Sequence, residues 1–430
     1  MKKINIVTLG CSKNTVDSEN VAGHLKDAGF TVRFDDDKNT ADIVIINTCG
    51  FIGDAKEESI SAILEYAELK RRKKNPKKII VCGCLSQRYA DDLRAEIPEV
   101  DAFYGVNDWS NLLSDIIEEY SETEFTSRRL VSTPKHYAYL KIGEGCNRSC
   151  SYCAIPLIRG RFVSRPIDDL VQEAKRLVAG GVKELLVIAQ DTTYYGMDIY
   201  GKRALSELLE RLALESGAKW IRLHYTFPSS FPDDVIEVMK KYDCICNYID
   251  IPLQHISADV LASMKRGIDK QGTLALMQMF REKLPDVAIR TALIVGYPNE
   301  TEDDFEQLKE FVRDMRFDRL GVFCYSAEEG TPSFPLGDTV SDEEKQRRME
   351  EIMRLQEMIS IEKNSEKVGK EYMVLIDRLE GDFWVGRTEY DSPEIDNEVL
   401  ISTEEDLKVG QFYKVKITEA MEYDLMAELC

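Results

Sequence analysis

The sequence predicts an α/β protein that ends in a small all-β barrel. Two observations predict the α/β part. Short apolar runs typical of strands alternate with amphipathic stretches up to about residue 125, and they do so again from 137 to about 340. A third observation predicts the barrel, because five short runs separated by turn residues follow residue 370. We therefore expect domains at 1–125, 137–340 and 370–430, with a linker helix at 341–368.

The first domain is predicted to be a parallel sheet with helices on both faces. Its strand-like runs at 4–9, 41–46 and 78–82 are each followed by an amphipathic stretch, which is typical of βαβ units. The carboxyl ends of parallel strands lie along one edge of a sheet, where such folds bind ligands. Residues that follow the three runs are therefore expected to lie near one another.

Each of these runs leads into a cysteine. Cys11 and Cys49 follow the first two runs, and Cys82 and Cys84 end the third. Three thiols at one sheet edge predict a metal site; the alternative is that cysteine serves here as a small buried hydrophobe. We expect Cys84, where the chain turns, to be the third ligand and Cys82 to lie in the core.

The second domain contains six strand-like runs: 137–143, 184–189, 220–225, 248–251, 288–295 and 320–325. Six β/α units are too few for a closed eight-stranded barrel, so a partial barrel with an open side is expected. Polar residues follow several runs. Three of them are candidate cofactor contacts at the strand ends, although each could also be an ordinary turn residue: Gln190, Gln254 and Gly296.

A loop with three cysteines follows the run at 137–143. Cys146, Cys150 and Cys153 are spaced four and three residues apart, so one loop can wrap around an inorganic centre. A structural zinc ion and a ferredoxin-type cluster both take four protein ligands. Three thiolates instead favour a cubane iron-sulfur cluster with one iron open for a substrate. The alternative is a zinc site completed by a distant ligand such as His136, Cys244 or Cys246.

The carboxyl-terminal part predicts a long helix followed by the barrel. A capping box at 341–344 opens a helix to about residue 367, and an apolar face with Ile352, Met358 and Ile359 is expected to pack on the partial barrel. Five short runs then predict a barrel of the oligonucleotide-binding type: 372–376, 383–387, 398–401, 412–417 and 424–428.

The charge balance limits the choice of partner. The chain of 430 residues carries a formal charge of −21, and residues 370–430 hold 16 Asp and Glu against 6 Lys and Arg, a net −10. Nucleic-acid affinity comes mainly from neutralising phosphates, so this balance argues against a protein that coats nucleic acid and favours a basic partner. The sequence shows neither a membrane span nor a signal peptide. We expect a cytoplasmic protein, whose eleven cysteines indicate metal or redox chemistry.

Three segments carry a resemblance to a known family: 9–14 (Leu-Gly-Cys-Ser-Lys-Asn), 139–146 (Tyr-Leu-Lys-Ile-Gly-Glu-Gly-Cys) and 154–161 (Ala-Ile-Pro-Leu-Ile-Arg-Gly-Arg). Together with the order of the domains, they resemble the radical S-adenosylmethionine methylthiotransferases across essentially the whole chain. The segments are especially similar to the branch that modifies an aspartate of small-subunit ribosomal protein twelve. The tRNA-modifying branch typically has Gln-Met-Asn where this chain has Ser12, Lys13 and Asn14.

The resemblance implies a cofactor set and a reaction. It implies that Cys146, Cys150 and Cys153 hold the [4Fe-4S] cluster that cleaves S-adenosylmethionine, and that an auxiliary [4Fe-4S] cluster is bound by three further cysteines: Cys11, Cys49 and Cys84. It implies a flavodoxin-like first domain and a TRAM domain at the end. The expected reaction is methylthiolation of an aspartate β-carbon.

The expected partners follow from that reaction. They are the ribosomal protein and an electron donor such as flavodoxin or ferredoxin, without a membrane and without direct tRNA binding. Two alternatives remain open from the sequence. One is a tRNA adenosine methylthiotransferase with the same chemistry, and the other is a non-catalytic metal-bearing RNA-binding protein.

Overall fold

The computed structural model of the protein describes residues 2–36, 40–72, 75–118, 120 and 128–430. The chain forms two compact units. The first unit contains residues 1–133, 144–147 and 154–162, and the second contains 134–143, 148–153 and 163–430. The predicted boundary at residue 125 lies outside the described residues, and the predicted domain bounds stay predictions.

A five-stranded parallel sheet forms the centre of the first unit. Its strands are β1 (Lys3–Thr8), β2 (Thr31–Phe34), β3 (Ile43–Thr48), β4 (Lys78–Gly83) and β5 (Ala102–Phe103). They are arranged in the order β2-β1-β3-β4-β5, which is the flavodoxin-like order, and the flavodoxin-like prediction is confirmed. All six residues of β3 are buried, as expected for the central strand of a covered sheet. Strands β2 and β5 were not predicted.

Helices cover both faces of this sheet. They are α1 (Ser12–Asp27), α2 (Gly53–Arg71), α3 (Cys84–Glu96) and α4 (Trp109–Ser114). A further short helix of this unit, α5 (Ile155–Arg159), packs against Cys84 and Val106. The period of two along β3 divides its side chains between two apolar clusters: Ile45 packs with residues of α1 and α4, whereas Ile46 packs with residues of α2 and α3. The β3 side chains that point to either face are apolar because helices cover both faces of the sheet.

The second unit contains a partial barrel. The strands that follow in the chain are β6 (Tyr137–Lys141), β7 (Gly143–Glu144), β8 (Val163–Ser164), β9 (Glu184–Ile188), β10 (Trp220–Leu223), β11 (Tyr248–Asp250), β12 (Ala288–Val295) and β13 (Arg319–Cys324). Six of them pair in parallel as β6-β9-β10 and β11-β12-β13. The Ile221 N–H of β10 donates to the Cys244 carbonyl at 2.7 Å, and the Cys246 N–H donates to the Ile221 carbonyl at 2.9 Å, so the segment before β11 links the two groups. The six β/α units match the prediction.

The helices of this partial barrel are α6 (Ile167–Ala179), α7 (Leu205–Glu215), α8 (Asp233–Lys241), α9 (Ala258–Ser263), α10 (Lys270–Lys283) and α11 (Glu302–Met315). Short 3-10 helices lie at Thr192–Tyr194 and Phe334–Leu336. Local sequence fixes several helix starts. Thr301 and Asp304 form a complete capping box at α11, and the Asp269 side chain accepts the backbone N–H of Gly272 at α10.

A long helix, α12 (Asp342–Ser365), connects the partial barrel to the last strands. The Ser341 side chain accepts the Glu344 N–H, which is one half of the predicted capping box, whereas the Glu344 carboxylate accepts from Arg347 and Arg348. The apolar face of α12 was predicted only in part. Ile352 and Ile359 are buried, but Met358 is 56% exposed. At 3.6 residues per turn, Gln356 lies on the side of Ile352 and Ile359, whereas Met358 does not. Gln356 is buried there, and its side-chain amide donates to the Phe317 carbonyl at 2.9 Å. The helix is held by specific hydrogen bonds as well as by apolar contacts.

Five strands close the last barrel: β14 (Glu371–Glu380), β15 (Phe383–Arg387), β16 (Val399–Ser402), β17 (Phe412–Ala420) and β18 (Leu425–Leu429). Their closed order, β14-β15-β16-β18-β17, confirms the predicted small all-β barrel. Its core is apolar and includes Val374, Ile401 and Val415. Among the described residues, no helix combines the length and the apolar character that crossing a membrane requires.

A buried ion cluster joins this barrel to the strands of the partial barrel. We call it the Arg387 cluster; it consists of Glu184, Arg222, Asp377 and Arg387. Arg387 lies 2.7 Å from Glu184 and 2.6 Å from Asp377, and Arg222 lies 2.7 Å from Glu184. Glu184 is the first residue of β9, so the small barrel contacts an amino end of the strands. The carboxyl ends, where such folds place their chemistry, lie away from this contact.

Candidate metal centres

The first three-cysteine set lies at the carboxyl edge of the first unit's sheet. Cys11 is the N-cap residue of α1, Cys49 directly follows β3, and Cys84 is the first residue of α3 directly after β4. Strands β1, β3 and β4 are neighbours, so their ends converge as predicted. Burial raises the pKa of the Cys49 and Cys84 thiols, and neighbouring thiols add to the rise: Cys11 at Cys49, and both Cys11 and Cys49 at Cys84. We call this group the first thiol set.

Glycines allow the three loops to approach closely. A Cβ added at Gly10 would lie 2.6 Å from the Cβ of Cys49, and one at Gly50 would lie 2.6 Å from the Leu85 backbone. Gly10 also has a φ of +88°, which side chains rarely adopt. No side chain at either position could be accommodated without moving the neighbouring loop.

A polar framework fixes the loops behind the thiols. The side-chain amide of Asn14 donates to the carbonyls of Leu9 and Thr48 at 2.8 and 3.1 Å, which turns its Oδ1 atom toward the thiol set. The hydroxyl of Ser59 contacts both the N–H and the carbonyl of Cys49, at 3.0 and 2.9 Å. These contacts tie the ends of β1 and β3 together, so the cysteines are held by hydrogen-bonded backbone.

The structure separates the roles of Cys82 and Cys84. The Cys82 thiol is buried among Ile6, Ile45 and Ile80 and hydrogen-bonds to the Ile46 carbonyl at 3.6 Å. Cys84 instead lies 3.9 Å from Oδ1 of Asn14 at the sheet edge. Cys82 therefore occupies a core position, which supports Cys84 as the candidate ligand.

Arg159, at the end of α5, brings a positive charge to the first thiol set. It is 3% exposed and donates to the Cys84 sulfur at 3.5 Å and to Oδ1 of Asn14. Two carboxylates balance its charge, Glu144 at 2.8 Å and Asp17 at 3.2 Å. Burial raises the pKa of the Cys84 thiol to about 11, and Arg159 acts against that rise. A cation at this position favours the thiolate, which is the form that binds metals.

The second three-cysteine set is the loop of Cys146, Cys150 and Cys153. In the first unit, the Cys146 N–H donates to the Gly160 carbonyl at 3.1 Å. Gly145 has a φ of +83°, and a Cβ there would lie 2.3 Å from the Arg161 carbonyl oxygen, so the turn before Cys146 requires glycine. In the second unit, the Cys153 N–H donates to the Cys150 carbonyl at 3.2 Å. The backbone therefore fixes each end of the loop within its own unit.

A buried arginine also contacts this second set. Arg266 is 3% exposed and donates to the Cys150 sulfur at 3.4 Å and to the Tyr152 hydroxyl at 3.1 Å. Its guanidinium lies 4.2 Å from the Phe227 ring centroid, and that of Arg148 lies 4.0 Å from the same centroid. These contacts place positive charge beside a sulfur in a setting with little water, where electrostatic interactions are strong.

The three candidate cofactor residues all lie beyond carboxyl ends of strands. Gln190 follows β9 and is half-buried, and Gln254 follows β11 with a φ of +75°. The Gln254 backbone bonds to residues 292 and 294 of β12 at 2.9 and 2.8 Å. Gly296 follows β12, and a Cβ there would lie 2.2 Å from Cγ of Lys345. Their location agrees with a cofactor cleft, and their contact with a cofactor stays a prediction.

Sequence reasoning missed the polar residues that surround the thiols. Asn14 and Arg159 lie in the segments that carry the family resemblance, yet no role was assigned to them. Arg266 lies more than 100 positions from Cys150, so only the fold brings them together. In the described part of the chain, no ready-made group of three His, Cys, Asp or Glu side chains is found that could hold a metal ion, and the six ligands stay predicted. The donor chemistry fits an iron-sulfur cluster, because soft thiols meet N–H donors aimed at sulfur.

Three family models match the chain. The radical SAM superfamily matches residues 140–312, the uncharacterized protein family UPF0004 matches residues 3–105, and the TRAM domain matches residues 368–430. The first match covers Cys146, Cys150 and Cys153, and the second covers the first thiol set.

Solved structures with a similar fold are radical S-adenosylmethionine enzymes. The methyltransferase TsrM from Kitasatospora setae, with cobalamin and a [4Fe-4S] cluster bound, has a TM-score of 0.55 at 14% identity over 78% of this chain and 77% of its own. The cobalamin-dependent enzyme OxsB has a TM-score of 0.53 at 12% identity over 82% of this chain and 56% of its own. At these identities the likeness concerns the fold alone.

Curated relatives match along the whole chain. The ribosomal protein uS12 methylthiotransferase RimO of Phocaeicola vulgatus is 53% identical over 99% of both chains. The protein of the same name from Flavobacterium psychrophilum is 56% identical over 99% of this chain and 98% of its own. Identity at this level over the full length, with the domain order and both thiol sets present, establishes the relationship. The chain belongs to the ribosomal protein uS12 methylthiotransferase family.

Proposed function

We propose that this protein replaces one β-hydrogen of an aspartate in ribosomal protein uS12 with a methylthio group. The observation that carries the proposal is the presence of two separate three-cysteine sets in one chain, each with a buried arginine that donates an N–H to a sulfur. The β-carbon of aspartate is unactivated, so no side-chain base can remove its proton at neutral pH. The reaction therefore needs a radical and a sulfur source.

Each thiol set would hold one [4Fe-4S] cluster. Three protein ligands leave the fourth iron open, whereas a closed cluster takes four cysteines. When bound, the cluster on Cys146, Cys150 and Cys153 would supply the electron that cleaves S-adenosylmethionine, and the auxiliary cluster on the first thiol set would present the methylthio group. The chain's own task is to place the reactants and to exclude water and oxygen.

Arg266, Gln190 and Gln254 would position the reactants. Arg266 anchors the Cys150 part of the loop through its contacts with Tyr152 and the Pro252 carbonyl. Gln190 and Gln254, beyond the carboxyl ends of β9 and β11, would contact S-adenosylmethionine, with the Gly296 turn beside them. The location of these residues supports the assignment, since folds of this kind bind ligands at that edge.

The charge of the last barrel supports a protein substrate. Residues 370–430 carry a net charge of −10, from 16 Asp and Glu against 6 Lys and Arg. Such a surface attracts a basic protein and repels RNA phosphates. Ribosomal proteins that pack on RNA are rich in cations, so a uS12-type substrate fits this surface. The radical step also consumes an electron, which we assign to a small donor protein such as flavodoxin or ferredoxin.

The proposal is tested with full-length protein reconstituted anaerobically with iron and sulfide. Purified uS12 is incubated with the enzyme, S-adenosylmethionine and a reductant, and peptides are analysed by mass spectrometry. We expect the mass of one methylthio group in place of one hydrogen on a single aspartate. The Cys146→Ala and Cys84→Ala variants serve as controls, and each should abolish the product.

A parallel assay replaces uS12 with tRNA and follows methylthio-adenosine. Product in the tRNA assay together with unmodified uS12 would overturn the proposed substrate. Zinc in place of iron after anaerobic metal analysis would overturn the radical chemistry, because two cubane clusters require about eight irons per chain.

A further inference from the structure

Arg159 has an arrangement that the proposed reaction does not by itself explain. Its side chain is nearly fully buried, and its N–H groups reach the Cys84 sulfur, Oδ1 of Asn14 and two carboxylates. A buried guanidinium is costly unless it is paired, and here both terminal nitrogens have partners: Nη1 donates to Asp17 and Glu144, and Nη2 donates to Asn14 and Cys84. The group is therefore held in one orientation with a fixed N–H directed at a sulfur.

The helix that carries Arg159 is anchored in the first unit. Helix α5 is only five residues long, and its Ala154 and Ile158 pack against Cys84 and Val106. The helix ends at Arg159, and Gly160 follows with a φ of +72°. Only six positions separate Arg159 from Cys153 of the other thiol set. The segment that follows one three-cysteine loop thus supplies a contact to the other thiol set.

The carboxylates of Asp17 and Glu144 fix the orientation of the Arg159 guanidinium. Asp17 is 1% exposed and lies on α1, which begins directly after Cys11. Glu144 lies two residues before Cys146, in the segment that leads into the cysteine loop. The two carboxylates hold the guanidinium in place while one of its N–H groups donates to the Cys84 sulfur. A lysine could offer charge here but not several donors in a fixed plane, which is what distinguishes arginine.

We propose that Arg159 is a positioning residue of the auxiliary cluster: it donates an N–H hydrogen bond to the Cys84 sulfur of the bound cluster and thereby raises the cluster's reduction potential. The inference rests on the proposed auxiliary cluster. Its physical reason is that a hydrogen bond and a nearby cation both stabilise the more negative, reduced cluster, and hydrogen bonds to sulfur and net charge are known determinants of cluster potentials. Burial strengthens both effects because water screens them poorly there.

The test uses a full-length background with Cys146, Cys150 and Cys153 replaced by Ala, so that only the auxiliary cluster is loaded. In this background we compare Arg159 with Arg159→Gln. The midpoint potential is measured by a redox titration followed by electron paramagnetic resonance. We expect Arg159→Gln to shift the potential to a more negative value. Proton double-resonance spectra of the reduced cluster should lose one exchangeable proton coupling.

A matched control is available two positions away. Arg161 is exposed, so Arg161→Gln removes the same charge from the same segment without touching a sulfur. It should leave the potential and the exchangeable proton unchanged. If Arg159→Gln does not fold or load iron, Arg159→Lys retains the charge for Asp17 and Glu144. It should still lower the potential, because the fixed N–H to sulfur is lost.

The outcomes separate this inference from the proposal on which it rests. About four irons in the triple-Ala background, with a potential that neither Arg159→Gln nor Arg159→Lys changes, would overturn the role of Arg159 while the auxiliary cluster stands. Equal shifts in Arg159→Gln and Arg161→Gln would also overturn it, since they would reflect general charge. No iron in the triple-Ala background would overturn the auxiliary cluster itself.

Discussion

The guanidinium of Arg266 donates an N–H to the sulfur of Cys150 at 3.4 Å while it lies 4.2 Å from the Phe227 ring centroid. The arginine is buried and also bonds to the Pro252 carbonyl. One side chain thus connects the cysteine loop to the segment that follows β11. The same cation therefore contacts both the sulfur of Cys150, a predicted ligand, and the wall of the partial barrel.

Replacing Arg266 should impair the chemistry proposed for the cluster on Cys146, Cys150 and Cys153. In Arg266→Gln, the Cys150 sulfur loses a charged donor, and the loop loses its tie to residue 252. Residues that orient metal ligands typically contribute about 10- to 100-fold in affinity or activity, so we expect reductive cleavage of S-adenosylmethionine to slow by about that factor. The formation of 5'-deoxyadenosine measures the rate. Lys265→Gln, an exposed neighbour, is the control and should react at the wild-type rate.

Cys84→Ala and Cys82→Ala should differ in iron content. Cys84 lies at the sheet edge with Arg159 and Asn14, whereas Cys82 lies in the apolar core. Cys84→Ala should reduce the anaerobic iron count from about eight to about four, and Cys82→Ala should leave it at about eight. Full iron in Cys84→Ala together with a loss in Cys82→Ala would transfer the ligand role to Cys82.

The sheet-edge position of the first thiol set could be predicted from the sequence. Cys49 and Cys84 directly follow Ile- and Val-rich strands, and parallel strands end at one edge. The partial barrel and the final barrel could also be predicted from the sequence, because their strands are short, apolar and separated by turn signals. In the parallel sheets local pattern is enough, since βαβ connections usually place successive strands close together. In the final barrel the turn signals between short strands predict the antiparallel neighbours β14, β15 and β16.

The contacts of Arg159, Arg266 and Gln356 could not be predicted. Each joins residues that are distant in sequence, and a charged or amide side chain carries no pattern that reveals its partner. Gln356 illustrates this, because it lies on the packing face of α12 where apolar residues were expected. Strand β5 was missed since two residues give no measurable periodicity.

Gly10→Ala should prevent loading of the auxiliary cluster. The new Cβ would lie 2.6 Å from the Cβ of Cys49 and 2.9 Å from its sulfur, so the Cys11 or Cys49 loop must move. Gly29→Ala is the matched control, because Gly29 has a similar φ of +90° but nothing lies within 4 Å of the added Cβ. We expect about four irons in Gly10→Ala and about eight in Gly29→Ala. About eight irons in both variants would contradict the prediction, and an equal loss in both would attribute the effect to backbone strain instead of the clash with Cys49.

The Arg387 cluster should be a large contributor to the stability of the second unit. Arg387→Met leaves Glu184 and Asp377 as buried charges without this partner, and breaking a buried pair typically costs about 3 to 5 kcal/mol. Arg378→Met is the control in the same barrel, because Arg378 is 45% exposed and its ion pairs with Glu380 and Glu398 should contribute at most about 1 kcal/mol. Urea unfolding measures both losses. A Trp109→Phe background leaves Trp220 and Trp384 as reporters, and both lie in the second unit.

The loss in the free energy of unfolding that Arg387→Met causes should be smaller at low pH than at neutral pH. Burial alone would raise the pKa of Glu184 and of Asp377. Arg387 and Arg222 hold the pKa of Glu184 below 4.5, its ordinary value, and His136 and Arg387 hold the pKa of Asp377 below 3.8, its ordinary value. A carboxyl group with a lowered folded pKa adds stability above its unfolded pKa and loses it as the pH falls through the folded value. In Arg387→Met the two groups lose a cation and protonate at higher pH than in the wild type.

The difference in the free energy of unfolding between wild type and Arg387→Met should therefore be constant near neutral pH and decrease below about pH 5. It should be smallest at the lowest pH reached, once both carboxyls become protonated in both proteins. The same fluorescence-detected urea titrations, repeated across this range, measure it. Arg378→Met should show a small and nearly constant difference. A cost of Arg387→Met that stays constant down to the lowest pH would mean that Arg387 stabilises the unit by packing, without pairing to Glu184 and Asp377.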